Sequence, residues 1–346
     1  MVAASLISVG TGTVEFAGTE CGPIEAGAGE TVLYSGLRSG LPLPYGCASG
    51  GCGSCKASLL AGRVRSLWDA APGLTDRDRR RGDRILMCQS VPVGRCVVQA
   101  PLGDRPEGPA PVRVPAVFRE RHRLGADTAL ITVCTEQRLT WMPGQFVHLV
   151  LPDGVRRAYS MTRPPAPRAG RTLEFLVRAV PGGSASRWLF GGLAEGDRIL
   201  VEGPYGKAHA QSPPDRPVVC LAGGTGLGPV LAIADRLQAE SAGRELRVYV
   251  GARRREDVVL TDRLAVLRDR GASVVVVVED ATGPELAGKE VHRTGLALDH
   301  LLSDLPDLTG HDVYLAGPPA MVTAALRRLV RGGRAAADRV FVDKFL

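Results

Sequence analysis

Residues 47–55 read CASGGCGSC, and Cys88 lies 33 positions beyond Cys55 in LMCQS. The spacing Cys47-x4-Cys52-x2-Cys55 with one distant thiol is that of plant-type 2Fe-2S ligands. Four thiolates must converge on two irons from one tight loop and one remote strand. Gly50, Gly51 and Gly53 let that loop take positive φ and bring backbone N–H groups near the sulfurs. A structural zinc site is the competing reading, but such sites pair their Cys or His spacings, and Cys88 has no paired ligand nearby. The expected metal ligands are therefore Cys47, Cys52, Cys55 and Cys88. Cys21, Cys96, Cys134 and Cys220 stand alone and are expected to be small buried apolar residues.

A second set of residues could hold phosphate and a flat ring. LAGGTGLGPV at 221–230 follows the apolar run PVVC and opens a helix at Pro229. Glycines let a backbone approach a pyrophosphate, and a helix N-terminus offers free N–H groups. There is no Gly-Lys-Ser/Thr, so this is not a Walker A loop, and it is not G-x-G-x-x-G either. AGPPAMV at 316–322 makes a second strand-to-helix turn of the same kind. Arg157-Ala158-Tyr159-Ser160 offers a cation, a ring and a hydroxyl on one short strand. They suit a phosphate, a stacked ring and a hydrogen-bonding edge; an exposed Arg and a core Tyr are the plainer alternative. VPGGSASRWL at 180–189 gives one more glycine turn into a helix start. GARRRED at 251–257 follows a strand where an Arg can meet a 2′-phosphate, or holds three solvated arginines. TDRDRRRGDR at 75–84 reads as a docking patch for an acidic partner, as a solvated turn of mixed charge, or as an offset to a cluster of net charge about −2.

The elements that must position these residues fall into three blocks. Residues 1–101 hold most of the cysteines, and the Pro/Gly-rich stretch 102–112 reads as a linker. Residues 113–210 alternate short apolar runs with turns (TALITVC, QFVHLVLP, RAYSMT, TLEFLVRAV, DRILVEGP), the pattern of a small antiparallel barrel. Residues 211–346 alternate continuous apolar runs (PVVCLAGG, LRVYVGA, SVVVVVED, DVYLAGPP) with helical stretches, which implies a parallel α/β sheet with ligands at the carboxyl ends of its strands. Hydrophobic residues at 45% and charged ones at 23% of 346 fit a soluble globular chain. A formal charge of +7, almost all of it Arg, does not imply nucleic acid. No apolar run approaches the ~20 residues of a membrane span. MVAASLISVG has no basic start, so no cleaved signal is expected and the cytoplasm is the expected compartment.

The motifs also occur in a fixed order: the four cysteines, R-A-Y-S, G-G-x-x-S, G-P-Y-G, A-G-G-T-G-L-G-P and A-G-P-P-A-M. Across essentially the whole chain this order resembles the reductase components of bacterial multicomponent aromatic-ring oxygenases, of the toluene/benzene monooxygenase or naphthalene dioxygenase type. LPYGCASGGCGSC and LWDAAPGL are closer to the monooxygenase branch, GGTGLGPVLAI to the dioxygenase branch. The resemblance implies a β-grasp ferredoxin domain, an antiparallel β-barrel FAD domain and a parallel-sheet NAD(P)-binding domain. It assigns Arg157, Tyr159 and Ser160 to the flavin, and Gly182, Gly183 and Ser186 to the FAD pyrophosphate. Gly223, Gly224, Thr225 and Gly226 take the pyridine-nucleotide pyrophosphate, and Gly317, Pro318 and Pro319 lie beside the nicotinamide. Phe345 corresponds to a C-terminal aromatic near the flavin ring; with Ser160 it is the expected catalytic pair. Two departures stand out. Ala316 replaces the family's usual Cys, which implies slower hydride transfer, and Gly228 replaces an Ala, expected to be without consequence.

The implied activity carries electrons from NADH, with NADPH as the other candidate, through FAD and the 2Fe-2S cluster to an oxygenase component, directly or by a Rieske-type ferredoxin. A nicotinamide gives two electrons at once and a cluster accepts one, so a flavin must stand between them. Two other readings compete: a self-contained NAD(P)H reductase of quinones or ferric chelates, and an iron–sulfur sensor without catalysis. A monomer is expected, with no membrane or nucleic-acid partner.

Overall fold

The computed structural model describes residues 12–103, 108–166, 170–241, 243–282 and 292–345. The opening MVAASLISVG and residues 104–107 of the expected linker lie outside them. Two compact units form: one of the residues up to Val112 with Asp153–Arg156, the other of Arg113–Pro152 and the chain from Arg157 on.

The first unit contains β1 (Gly12–Phe16), β2 (Ile24–Ala26), α1 (Val32–Arg38), β3 (Lys56–Ser66), α2 (Asp76–Arg81), β4 (Arg84–Leu86) and β5 (Ser90–Gln99). Its sheet order is β2-β1-β5-β3-β4, with β1 and β5 parallel and the other pairs antiparallel. Val32–Leu37 of α1 are all buried. A Cβ at Gly36 would stand 2.4 Å from Leu43 and 2.9 Å from the Phe16 ring, so glycine permits this close packing of helix on sheet. A mixed sheet clasping one helix is the expected β-grasp. The charged run at 75–84 is a helix rather than a turn: Thr75 and Asp78 cap each other's backbone, and Gly82 ends it at φ +73°.

In the barrel sheet, the strands are β6 (Val112–Arg123), β7 (Thr128–Thr135), β8 (Phe146–Val150), β9 (Arg156–Ser160) and β10 (Thr172–Arg178); after α3 (Ser184–Arg187) comes β11 (Arg198–Tyr205). The order is β10-β7-β6-β11-β8-β9, and a bridge from Met161 to Phe175 joins its two edges. Every second residue of β7 is buried, as a barrel wall requires. β6 is an addition to the expected strands; its period-2 row Val114, Ala116, Phe118 is buried.

The third sheet holds β12 (Val218–Gly223), α4 (Leu227–Glu240), β13 (Leu246–Arg254), α5 (Thr261–Asp269), β14 (Ser273–Asp280), β15 (Arg293–Thr294), α6 (Ala297–Asp304), β16 (Asp312–Gly317), α7 (Pro319–Leu326) and β17 (Val340–Lys344). It is parallel, in the order β15-β14-β13-β12-β16-β17. Val218, Cys220 and Ala222 pack with α4 and α5 on one face. Val219 and Leu221 pack with α6 and α7 on the other, which explains runs without polar alternation. The chain moves outward through β13 and β14, then returns to the far side of β12 as β16. The loops after β12 and β16 therefore flank a switch point, where such sheets bind ligands.

Candidate functional site

The thiol loop sits between α1 and the start of β3. Ala48 holds φ +51°, with Gly50 at +89° and Gly53 at +77°. Tyr34 of α1 donates a hydrogen bond to the Ala48 carbonyl at 3.4 Å, and Gly73 N–H donates to Gly50 O at 2.8 Å. A Cβ on Gly53 would lie 2.8 Å from Gly73 O, so neighbouring backbone leaves no room there for a side chain. The folded loop turns its N–H groups onto sulfur. Cys52 N–H and Ser49 N–H point at Cys47 Sγ (3.3 and 3.5 Å), while Cys47 N–H and Ser54 N–H point at Cys52 Sγ (3.4 and 3.5 Å). Cys88, just after β4, places its sulfur 3.2 Å from that of Cys55. Cys55 and Cys88 are buried, Cys47 partly buried and Cys52 exposed.

Within each pair one thiol is made more acidic and its partner less so. The hydrogen bond with Cys47 pulls the Cys52 thiol down to about 4, and the same contact pushes Cys47 up to about 12. Cys55 is likewise lowered by its hydrogen bond with Cys88, whose own thiol is raised. Among the described residues, no three His, Cys, Asp or Glu side chains group around a single metal ion. Four sulfurs in two facing pairs, with backbone N–H groups on those of Cys47 and Cys52, instead suit a two-iron cluster. Of the other thiols, Cys96 and Cys220 are buried as expected, whereas Cys21 and Cys134 are only partly so.

In the second unit, strand register does the assembling. Ala222 of β12 lies opposite Ala316 of β16, and Ala316 opposite Asp343 of β17. Ser160, at the end of β9, donates a 2.5 Å hydrogen bond to Asp343 Oδ2. The R-A-Y-S strand of the barrel thus meets the carboxyl edge of the parallel sheet. Burial pushes the Asp343 carboxyl up to about 6, against the Ser160 hydrogen bond, which lowers it. Phe345 N–H donates to Gly317 O at 3.1 Å, which fixes the chain end beside the same loop. Asp343, Ala316, Tyr314, Phe341, Pro229 and Ala208 line a small pocket here.

The glycines of the two loops divide by what surrounds them. A Cβ on Gly226 would fall 2.1 Å from Ala316 O, one on Gly223 2.6 Å from Met321 Sδ, and one on Gly317 2.8 Å from Gly223 O. Those three let the loops pack on each other. Gly224 is exposed at φ +54° with nothing within 4 Å of a Cβ, so its backbone faces open space beside Thr225 and the exposed Pro318 and Pro319. At Gly228 an alanine would meet Thr162 Cγ2 at 3.0 Å, a contact that asks the threonine methyl to give by a few tenths of an ångström.

Of the barrel motif, Arg157 is exposed, Tyr159 partly buried with its ring 6.2 Å from that of Phe175, and Ser160 buried. Gly182 (φ +73°) has open space over it, and Gly183 caps α3. Ser186 Oγ accepts from Val180 N–H at 2.7 Å, so its hydroxyl closes its own turn. An exposed cation, a ring and an uncovered glycine turn fit an FAD laid along β9. Two features escaped sequence reasoning. Asp343 acts only through register with Ala316. Arg263 of α5, nearly buried, donates to Thr162 O at 2.6 Å and pairs with Glu174 (3.4 Å) and Asp235 (3.2 Å), tying the barrel to α4 and α5. Of the three arginines at the end of β13, Arg253 and Arg254 are exposed, Arg254 pairing with Glu256 at 3.6 Å, and the partly buried Arg255 donates to Ala281 O at 3.3 Å.

Comparison with known proteins agrees domain by domain. A 2Fe-2S iron-sulfur cluster binding domain matches residues 20–93, an oxidoreductase FAD-binding domain 115–209 and an oxidoreductase NAD-binding domain 220–327. The chain is 38% identical over 318 residues to the ferredoxin–NAD(+) reductase component of the alkene monooxygenase system of Xanthobacter autotrophicus, covering 92% of this chain and 96% of that one. It is 32% identical over 324 residues to the xylene/toluene monooxygenase electron transfer component of Pseudomonas putida, covering 92% and 89%. Among solved structures, the ferredoxin reductase in carbazole 1,9a-dioxygenase superposes with a TM-score of 0.83 at 30% identity, covering 97% of this chain and 99% of that one.

Proposed function

The chain belongs to the ferredoxin–NAD(P)+ reductases that join a 2Fe-2S domain to FAD- and NAD-binding domains, and from that premise we propose that it passes electrons from NADH to a multicomponent oxygenase. The observation that supports this most is the meeting of Ser160, Asp343 and Ala316, which gives a flavin-holding strand and a nucleotide-binding edge one common place. Bound FAD supplies the conversion of a two-electron hydride into single electrons. Arg157 and the turn at Gly182–Gly183 hold its phosphates, and Tyr159 stacks beside it. Ser160 keeps its proton directed at Asp343 Oδ2, and the buried strand end excludes water. The N–H groups at Gly224 and Thr225 receive the dinucleotide's pyrophosphate, with Pro318 and Pro319 flanking the nicotinamide. Cys47, Cys52, Cys55 and Cys88 would hold the cluster, which would supply the one-electron step. With Arg254 drawn to Glu256 and Arg255 to Ala281 O, Arg253 is the one guanidinium at the end of β13 left for a 2′-phosphate among the described residues, a weak site, which favours NADH. No helix is long and apolar enough to cross a membrane among the described residues, and we place the protein in the cytoplasm as a monomer.

Stopped-flow spectroscopy of the anaerobic holoprotein tests this. NADH bleaches the flavin first and the cluster second, and NADPH does so more slowly. Cys52→Ala loses the cluster absorbance but keeps flavin reduction. Loss of flavin reduction in that variant, its flavin still bound, contradicts the linear order.

A further inference from the structure

Charge in the first unit is segregated. From Gly12 to Arg38 the chain carries four glutamates and one arginine; from Lys56 to Arg95 it carries nine cations and four aspartates. The order β2-β1-β5-β3-β4 sets the acidic segment at one edge of the sheet and β3 and β4 at the other. Cys55 precedes β3 and Cys88 follows β4, so the thiols lie at the cationic edge.

The cations there do two different things. Lys56 bridges Asp78 at 2.8 Å, and Arg79 donates to Ala71 O and Leu74 O at 2.7 and 3.2 Å. These fasten α2 and the strap 68–74 onto the thiol loop, where Gly73 N–H already binds Gly50 O and Leu67 N–H binds Gln89 O, both at 2.8 Å. Arg63, Arg65, Arg77 and Arg80 are exposed and make no ion pair among the described residues. Leu67 and Trp68, also exposed (49% and 38%), follow directly on the end of β3 that carries Arg63 and Arg65. Outward-facing arginines are screened by solvent from the cluster's own charge, so offsetting that charge does not account for them.

We infer that this edge is the docking surface for an acidic protein, the one-electron acceptor. Trp68 and Leu67 form its apolar centre, and the four arginines steer and orient carboxylates around it. The inference rests on the electron-transfer function proposed above. The balance is simple: NADH becomes NAD+ and H+, and its two electrons reduce two acceptor molecules, one each.

The test uses the holoprotein with two haem-protein probes, acidic cytochrome b5 and basic cytochrome c. R77E/R80E and R63E/R65E are expected to weaken cytochrome b5 binding, by surface plasmon resonance at low salt, about tenfold. Its NADH-driven reduction slows by a similar factor, that of cytochrome c accelerates, and both differences collapse at roughly 0.5 M salt. R77Q/R80Q moves the same quantities about threefold and guards against disturbance of α2. Trp68→Ala weakens cytochrome b5 binding at every salt concentration. Equal responses of the two probes, or none, overturn the docking surface if NADH still bleaches flavin and cluster. If NADH bleaches neither in the parent protein, the electron-transfer reading fails and the surface falls with it.

Discussion

Asp343 joins the barrel to the parallel sheet through Ser160, and its protonation should be visible in stability. Burial raises its carboxyl to about 6, above the ordinary ~4. The native state therefore binds this proton more tightly than the unfolded chain. Stability from this group is full below about pH 4 and declines as pH rises through about 6. Asp343→Asn should flatten melting temperature against pH over that window. At pH 8 it should exceed the parent by on the order of 2 kcal/mol, allowing for partial exposure. Parallel curves would show that Asp343 does not titrate there. The two nucleotide-loop glycines make a matched pair. Gly226→Ala drives a Cβ against Ala316 O and should lower stability by about 2 kcal/mol or more. Gly224→Ala meets no atom, costs about 1 kcal/mol of backbone strain, and should instead raise the KM for NADH. A comparable loss of stability in both would remove the case for Gly224 as the open contact point.

At the scale of elements, what could be read in the sequence was what is written in local spacing. The cysteine loop was legible because ligand geometry dictates the intervals and the glycines between them. The parallel sheet was legible because strands covered on both faces cannot alternate. β17 was not, since its five residues are only half-buried and its pairing with β16 is a long-range fact. β6 was obscured by the proline-rich stretch before it, although Val114, Ala116 and Phe118 alternate. The short helix α2 hid in a charge run whose capping pair, Thr75 and Asp78, was readable. The Arg263 network had no local signal at all, because its partners come from β10 and α4. It yields a sharp prediction. Arg263→Ala removes the cation shared by Glu174 and Asp235, which keep Arg163 at 3.0 Å and Arg270 at 3.7 Å, and should destabilise by about 1–2 kcal/mol. Urea unfolding followed by flavin fluorescence measures it; a change under about 0.5 kcal/mol would mean that the network is ornamental to stability.

The molecule as a whole is two compact units, each with its own core, and this arrangement bears on what cluster loss should do. The first unit's thiol loop has Ala48 held at φ +51° and its strap anchored by backbone hydrogen bonds, so ligation by the four sulfurs adds directly to the stability of that unit. The second unit closes its barrel by the Met161–Phe175 bridge and covers its parallel sheet on both faces, with no contribution from those thiols. Stripping the cluster with a chelator under reducing conditions should therefore lower one of two calorimetric transitions by several degrees and leave the other in place. NADH-driven reduction of a small dye that takes electrons from the flavin should survive, while reduction of a one-electron protein acceptor stops. A single transition that shifts as a whole, or loss of dye reduction together with the cluster, would mean that the flavin and nucleotide sites depend on the ferredoxin unit for their integrity.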